Sequence, residues 1–182
     1  MYRNARAIGL SLFGLTLVAC VLGLSSGATN PRAMLLQLRD LPRGFSLHQT
    51  LRNAATSYTA VFTITAGSPN LTGLYRIEST ASVYPSVAGA EAALLYYANG
   101  VKRSTPKEKA KALPSSAKLG SEARIYSLRY YNGNLDTDLY SVVWRHGTIV
   151  GVVVGEGEAA TVDPKAVIAL AQKEQRRINQ VA

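Results

Sequence analysis

The sequence predicts an α+β fold: an antiparallel β-sheet with helices packed on it, in the order strands, helix, strands, helix, preceded by an export element. Three observations predict it. Apolar and polar residues alternate over 58–65 and 71–83, the period of half-buried strands, and a second strand group punctuated by turn residues runs over 120–155. After each of these strand groups, apolar residues recur at helical spacing. Ahead of everything, Ile8 to Leu24 carries no charge and follows Arg3 and Arg6.

The N-terminal run is short for a bilayer span of about 20 residues and long for a signal core of about 7 to 15. Within it, Leu17-Val18-Ala19-Cys20 resembles the lipobox of bacterial lipoprotein signals. The resemblance implies diacylation of the Cys20 thiol, which becomes the mature N-terminus. Val21 to Leu24 stays apolar where lipoproteins turn polar, and Ser26-Gly27-Ala28 offers a general signal peptidase a cut before Thr29. Lipidation, cleavage and a retained anchor therefore all stand open for residues 1–28. Each leaves 29–182 as one extracytoplasmic domain, held on the outer face of the cytoplasmic membrane or, after simple cleavage, secreted. Cys20 is the only cysteine, so no internal disulfide forms, and acylation explains it better than redox chemistry.

Asn30-Pro31 caps a short helix expected to run through Leu38, with proline where its missing N–H costs nothing. Asp40 to Gly44 breaks it. Tyr58 to Thr65 puts Tyr58, Ala60, Phe62 and Ile64 on one face and mostly threonine on the other. After the turn residues Gly67-Ser68-Pro69-Asn70, Tyr75, Ile77, Ala81 and Val83 are expected to face the core, and Arg76, Glu78, Thr80 and Ser82 to face water. Ser86 caps a helix whose stripe is Ala90, Leu94, Tyr97 and Val101, stopped at Asn99-Gly100. Gly120–Tyr131, Leu135–Arg145 and Thr148–Gly155 follow as strands, joined at Asn132-Gly133-Asn134 and His146-Gly147. Asp163-Pro164 opens the last helix, whose stripe of Val167, Leu170, Ala171, Glu174, Ile178 and Val181 is expected mostly to face the sheet.

Composition fits one packed domain. The chain has 182 residues, 47% hydrophobic and 17% charged, which excludes a disordered chain and a multi-span membrane protein. Its formal charge is +9, of which Arg3 and Arg6 supply two, and the basic remainder favours anionic partners.

No catalytic constellation, cofactor motif or metal site emerges from the residues. Gly23-Leu24-Ser25-Ser26-Gly27 has the spacing of a nucleophile elbow but lies in the leader. Gly155-Glu156-Gly157-Glu158-Ala159-Ala160 is spaced like a dinucleotide loop, yet two glutamates would repel a pyrophosphate, so it reads as a strand-to-helix connector. Asn132, Asn134, Asp136 and Asp138 alternate as calcium ligands do, but the glycine is misplaced for an EF-hand and Val143 stands at the twelfth position, so a hairpin turn explains them. His48 and His146 are the only histidines, expected in solvent.

Two binding surfaces are expected instead. Tyrosines cluster around the second helix and the central hairpin, and Tyr97, Tyr126, Tyr130 and Tyr140 are the candidates to line a groove for a small ligand or protein. Lys102, Arg103, Lys107, Lys109, Lys111 and Lys118 face only Glu108 among acids, a surface suited to anionic lipid or cell-wall polymer. Nucleic acid is not expected, because no aromatic interleaves with these lysines.

The runs DLPRGF at 40–45, LGSEARIY at 119–126, VVWRHGTIVGVVV at 142–154 and ALAQKEQRRI at 169–178 resemble a layout in small exported bacterial domains, found in lipoproteins and as sensor parts of membrane-spanning serine/threonine kinases. The resemblance implies a PsbP-like α+β fold and ligand or partner sensing without catalysis; the chain departs from the kinases in lacking a kinase domain and paired cysteines. The expectation is a membrane-anchored, non-catalytic binding or sensor-type domain without a cofactor. The alternatives are a secreted hydrolase using His48 or His146, and an envelope protein binding anionic polymer or lipid.

Overall fold

In a computed structural model of the chain, residues 30–68, 72–103, 110–115 and 118–182 are described. Residues 1–29, Cys20 among them, lie outside that set. Seven strands, β1 (Phe45–Ala54), β2 (Ser57–Ile64), β3 (Leu74–Val83), β4 (Lys111–Leu113), β5 (Glu122–Tyr131), β6 (Asp136–His146) and β7 (Ile149–Glu158), form one antiparallel sheet. Their spatial order is β1-β2-β3-β7-β6-β5-β4. With α1 (Pro31–Met34), α2 (Val87–Arg103) and α3 (Pro164–Val181), the fold is α+β.

A helix precedes the strands, so the order differs from the expected one. The Asn30 side chain accepts from the Arg32 N–H and Pro31 opens α1, as the sequence predicts. The helix stops after Met34, however, because Leu35 is extended and Leu38–Asp40 makes a separate 3-10 turn.

Strand alternation sorts side chains onto two faces. On one, α1 and α3 cover Phe62, Ile77, Ile125, Val142, Trp144 and Val153, with Met34, Val167, Leu170 and Ile178 inserted from the helices. Trp144 lies directly across from Gly151, where a Cβ would overlap the indole, and a Cβ at Gly155 would meet Val167 and Leu74. Glycine at these positions makes room for a wide ring and a close helix. β7 consequently continues to Glu158, so the expected connector at 155–160 is largely strand.

On the other face, α2 lays Ala90, Ala93 and Leu94 on Val143, Val150 and Val152. The alanines let the helix sit close, over β5, β6 and β7. The part of this face built by β1, β2 and β3 has no helix on it among the described residues.

Several expectations change. α2 runs through Asn99-Gly100 to Arg103, because Gly100 does not take the positive φ of a helix cap and continues the helix. Val181, expected to face the sheet, is 38% exposed at the end of α3. β4, a short strand paired with β5, was not expected. β1 is a strand the sequence reading missed, because most of its residues are exposed on both faces and no buried alternation marks it. Thr80 and Ser82, expected in water, are buried. Tyr75, expected in the core, hydrogen-bonds through its hydroxyl to Thr137 Oγ1 (3.1 Å) on the α2 side, where a register irregularity between Leu74 and Arg76 turns it.

Candidate functional site

At the step where α2 ends its cover of the sheet lies a cleft lined by Asn53, Thr59, Glu78, Thr80, Tyr96 and Tyr97, with Val152 and Val154 as floor. Pairing explains the lining. Thr59, Thr80 and Val152 are successive neighbours across β2, β3 and β7, and Val61, Glu78 and Val154 form the adjacent row on the same face. The cleft encloses about 70 Å³. Sites for drug-sized ligands run to about 300 Å³ or more, so this one suits a small molecule or one group of a larger one.

Its wall is a row of joined hydroxyls. Asn53 Nδ2 donates to Thr59 Oγ1 (2.8 Å), and Thr59 Oγ1 shares a proton with Thr80 Oγ1 (2.7 Å). Beside them Ser57 Oγ meets Ser82 Oγ (2.7 Å), which approaches the Tyr97 hydroxyl (3.4 Å). Because Asn53 Nδ2 can only donate, Thr59 Oγ1 receives from it and can donate to Thr80 Oγ1, which leaves the Thr80 proton unused in this row. Tyr96 and Tyr97 meet edge to face at 5.8 Å, and Tyr96 leaves 45% of its surface at the mouth.

Next to the hydroxyls, two carboxylates share one guanidinium. Arg76 pairs with Glu156 (2.9 Å) and with Glu78 on its own strand, leaving a local charge of minus one when both acids are ionised. Burial pushes the Glu78 carboxyl up, against the pull of Arg76. Burial likewise pushes the Tyr84 and Tyr130 phenols up, with Tyr97 reinforcing the first and Glu156 and Tyr75 the second. These phenols stay protonated at neutral pH and act as donors.

The four tyrosines singled out by sequence do not share one site. Tyr97 lines the cleft; Tyr126 is 3% exposed on β5; Tyr130 stands beside Arg76 and Glu156; Tyr140 packs on the opposite face with the α3 core. Asn53, Thr59, Glu78, Thr80, Val152 and Val154 were missed. Their one sequence signal is the run of small hydroxyls on the polar sides of β2 and β3, which marks a surface without showing that the two strands bring it together.

Of the expected basic surface, Lys111 is exposed on β4 and Lys118 is exposed ahead of β5. Lys102 and Arg103 fall in the last turn of α2, and Lys107 and Lys109 lie outside the described residues. His48 sits on β1 and His146 ends β6, with three strands between them, about 19 Å at the usual strand spacing. They cannot share a site. Asn132 Oδ1 accepts from the N–H groups of Asn134 (3.0 Å) and Leu135 (3.1 Å), and Asp138 binds Arg129 (2.7 Å) and the Ala160 N–H (2.8 Å), so the turn uses these oxygens itself. Among the described residues, no group of three or more His, Cys, Asp or Glu is placed to hold a metal ion.

No protein-family profile matches the chain, and no curated protein sequence matches it significantly.

Proposed function

We propose that the protein is an extracytoplasmic, membrane-attached binding domain of the small lipoprotein or sensor type, without catalysis, and that the α2 cleft receives its ligand. The observation that carries this reading is the hydrogen-bonded row of the Asn53 amide and the Thr59 and Thr80 hydroxyls, set over Val152 and Val154 and flanked by Glu78 and Tyr96. Convergent polar groups above a small apolar floor orient a ligand, and the surplus carboxylate favours one that is neutral or cationic. The hydrolase alternative needs a histidine base paired to a carboxylate, and among the described residues neither His48 nor His146 makes a hydrogen bond or ion pair with one. Attachment rests on the lipobox at Leu17 to Cys20.

Two measurements test it. Amide chemical shifts of the full chain, titrated with a panel of small polyols, amides and amines, should move at Thr80, Val152 and Val154. Thr80→Val or Tyr96→Ala should then weaken binding about tenfold, the loss expected of one hydrogen bond or one aromatic contact. A panel that moves none of these amides removes the cleft reading. Mass spectrometry of the native protein should show a diacylated N-terminal Cys20; a mature chain starting at Thr29, or one keeping Met1, removes the lipoprotein reading.

A further inference from the structure

The helical layer on the far side of the sheet from the cleft is strongly basic. α3 turns Lys165, Ala169, Lys173 and Arg176 outward, and no acid shares that stripe. α1 and the turn after it add Arg32, Arg39 and Arg43, all exposed. Lys173 Nζ donates to the Asp40 carbonyl oxygen and Arg177 pairs with the Asp40 carboxylate (3.4 Å), so the 3-10 turn that carries Arg39 is tied to α3.

The acids of this layer are engaged elsewhere. Asp40 Oδ2 also accepts from the Gln37 N–H (2.8 Å), Asp163 caps α3 by accepting from the Lys165 N–H (2.9 Å), and Glu174 is buried against Ser79. Leu38, in the middle of the arginines, leaves 51% of its surface exposed. On the cleft side, by contrast, Glu78, Glu91, Glu122 and Glu156 meet Arg76, Arg124 and Arg145 in ion pairs.

The chain also enters on the basic side. Asn30 caps α1, and Leu24, the last large apolar residue of the N-terminal run, precedes it by so few residues that even a fully extended backbone spans only about 20 Å. An anchor or lipid in that run keeps the α1 side within reach of headgroups, while lysines and arginines act on an anionic leaflet over a screening length of about 8 Å. From the charge of this surface and the place where the chain enters it, we infer that the outer face of α1 and α3 rests on an anionic phospholipid bilayer, with Leu38 at the contact and the α2 cleft turned away. The inference rests on the membrane attachment proposed above and is independent of what the cleft binds.

Amine footprinting of the full chain in vesicles tests it. With phosphatidylglycerol admixed to phosphatidylcholine, acylation of Lys165 should slow several-fold relative to phosphatidylcholine alone, and high salt should restore it. Arg39→Gln, Arg43→Gln and Arg176→Gln together remove three exposed charges without touching the core and should abolish that protection. Equal labelling of Lys165 in both vesicles, on a chain that stays with both, overturns the inference and leaves attachment standing. Protection at Lys111 and Lys118 with none at Lys165 overturns it in favour of the β4 edge. Protection by soluble DNA or an anionic polysaccharide, with none from vesicles, overturns it in favour of a polymer partner. A chain that associates with neither vesicle overturns both the attachment and the inference.

Discussion

At position 174 the apolar stripe of α3 carries a glutamate, and the side chain enters the core with its neighbours. Ser79 Oγ donates to Oε2 and itself accepts from the Leu36 N–H (2.9 Å), while Oε1 has no partner among the described residues. Burial holds this carboxyl well above its usual range, despite Ser79 and the nearby Arg177, with Asp40 adding to the rise. The folded chain then keeps a proton that the unfolded chain releases near pH ~4.3. The stabilisation is full below that value and is lost as pH rises toward the folded pKa, by up to about 1.4 kcal/mol per pH unit. Urea denaturation of Glu174→Gln should therefore show stability that falls less between pH 5 and 8 than in the parent; parallel profiles would mean that Glu174 is ionised in the fold. That Glu174 faces inward was legible from its place in the stripe. Its hydroxyl partner was not, since Ser79 lies on another element far along the chain. Thr80 and Ser82 were misread for a related reason: alternation counts a hydroxyl as polar, but one that meets Thr59 or Ser57 across a strand can be buried without loss.

Among the elements, α2, α3 and strands β2, β3, β5, β6 and β7 were legible because each has one apolar face and a recognisable cap or turn. β1 and β4, the two edges of the sheet, were not, since an edge strand with most of its side chains in solvent has no face to betray it. The cleft was illegible for a topological reason. It is assembled from β1, β2, β3, β7 and α2, and which strands become neighbours is decided by the crossover that brings β7 beside β3. The sequence run around Trp144 and Gly151 does carry a readable constraint once that pairing is known: the widest side chain of β6 faces the residue without one on β7. Gly151→Ala should destabilise the fold by about 1–3 kcal/mol through overpacking, with a shift in Trp144 emission that reports the displaced ring. Unchanged urea midpoint and emission would show that the indole has room to move.

For the whole molecule, the sheet acts as a partition, with cations on the outer side of α1 and α3 and a cleft with surplus negative charge on the α2 side. The net charge of +9 favours anionic partners without saying which part of the surface would meet one. The basic residues of 102–118 stand close together in the chain and so are visible in the sequence, whereas Arg39 and Lys173 are brought together only through the packing of the turn after α1 against α3.

The strand order also bears on how the molecule comes to exist. β7 is the last strand to be synthesised, yet it lies in the middle of the sheet, between β3 and β6. β1, β2 and β3 can pair as soon as they are made, but the β3 edge that will receive β7, from Leu74 to Val83, has no partner until Ile149 to Glu158 follow. At about 5–20 residues per second that delay lasts several seconds, and the seam must then close a long loop of chain. A polypeptide that crosses a membrane unfolded and emerges N-terminus first passes through the same interval on the far side, with an open strand edge at its centre and its basic helical layer unfinished until α3 arrives.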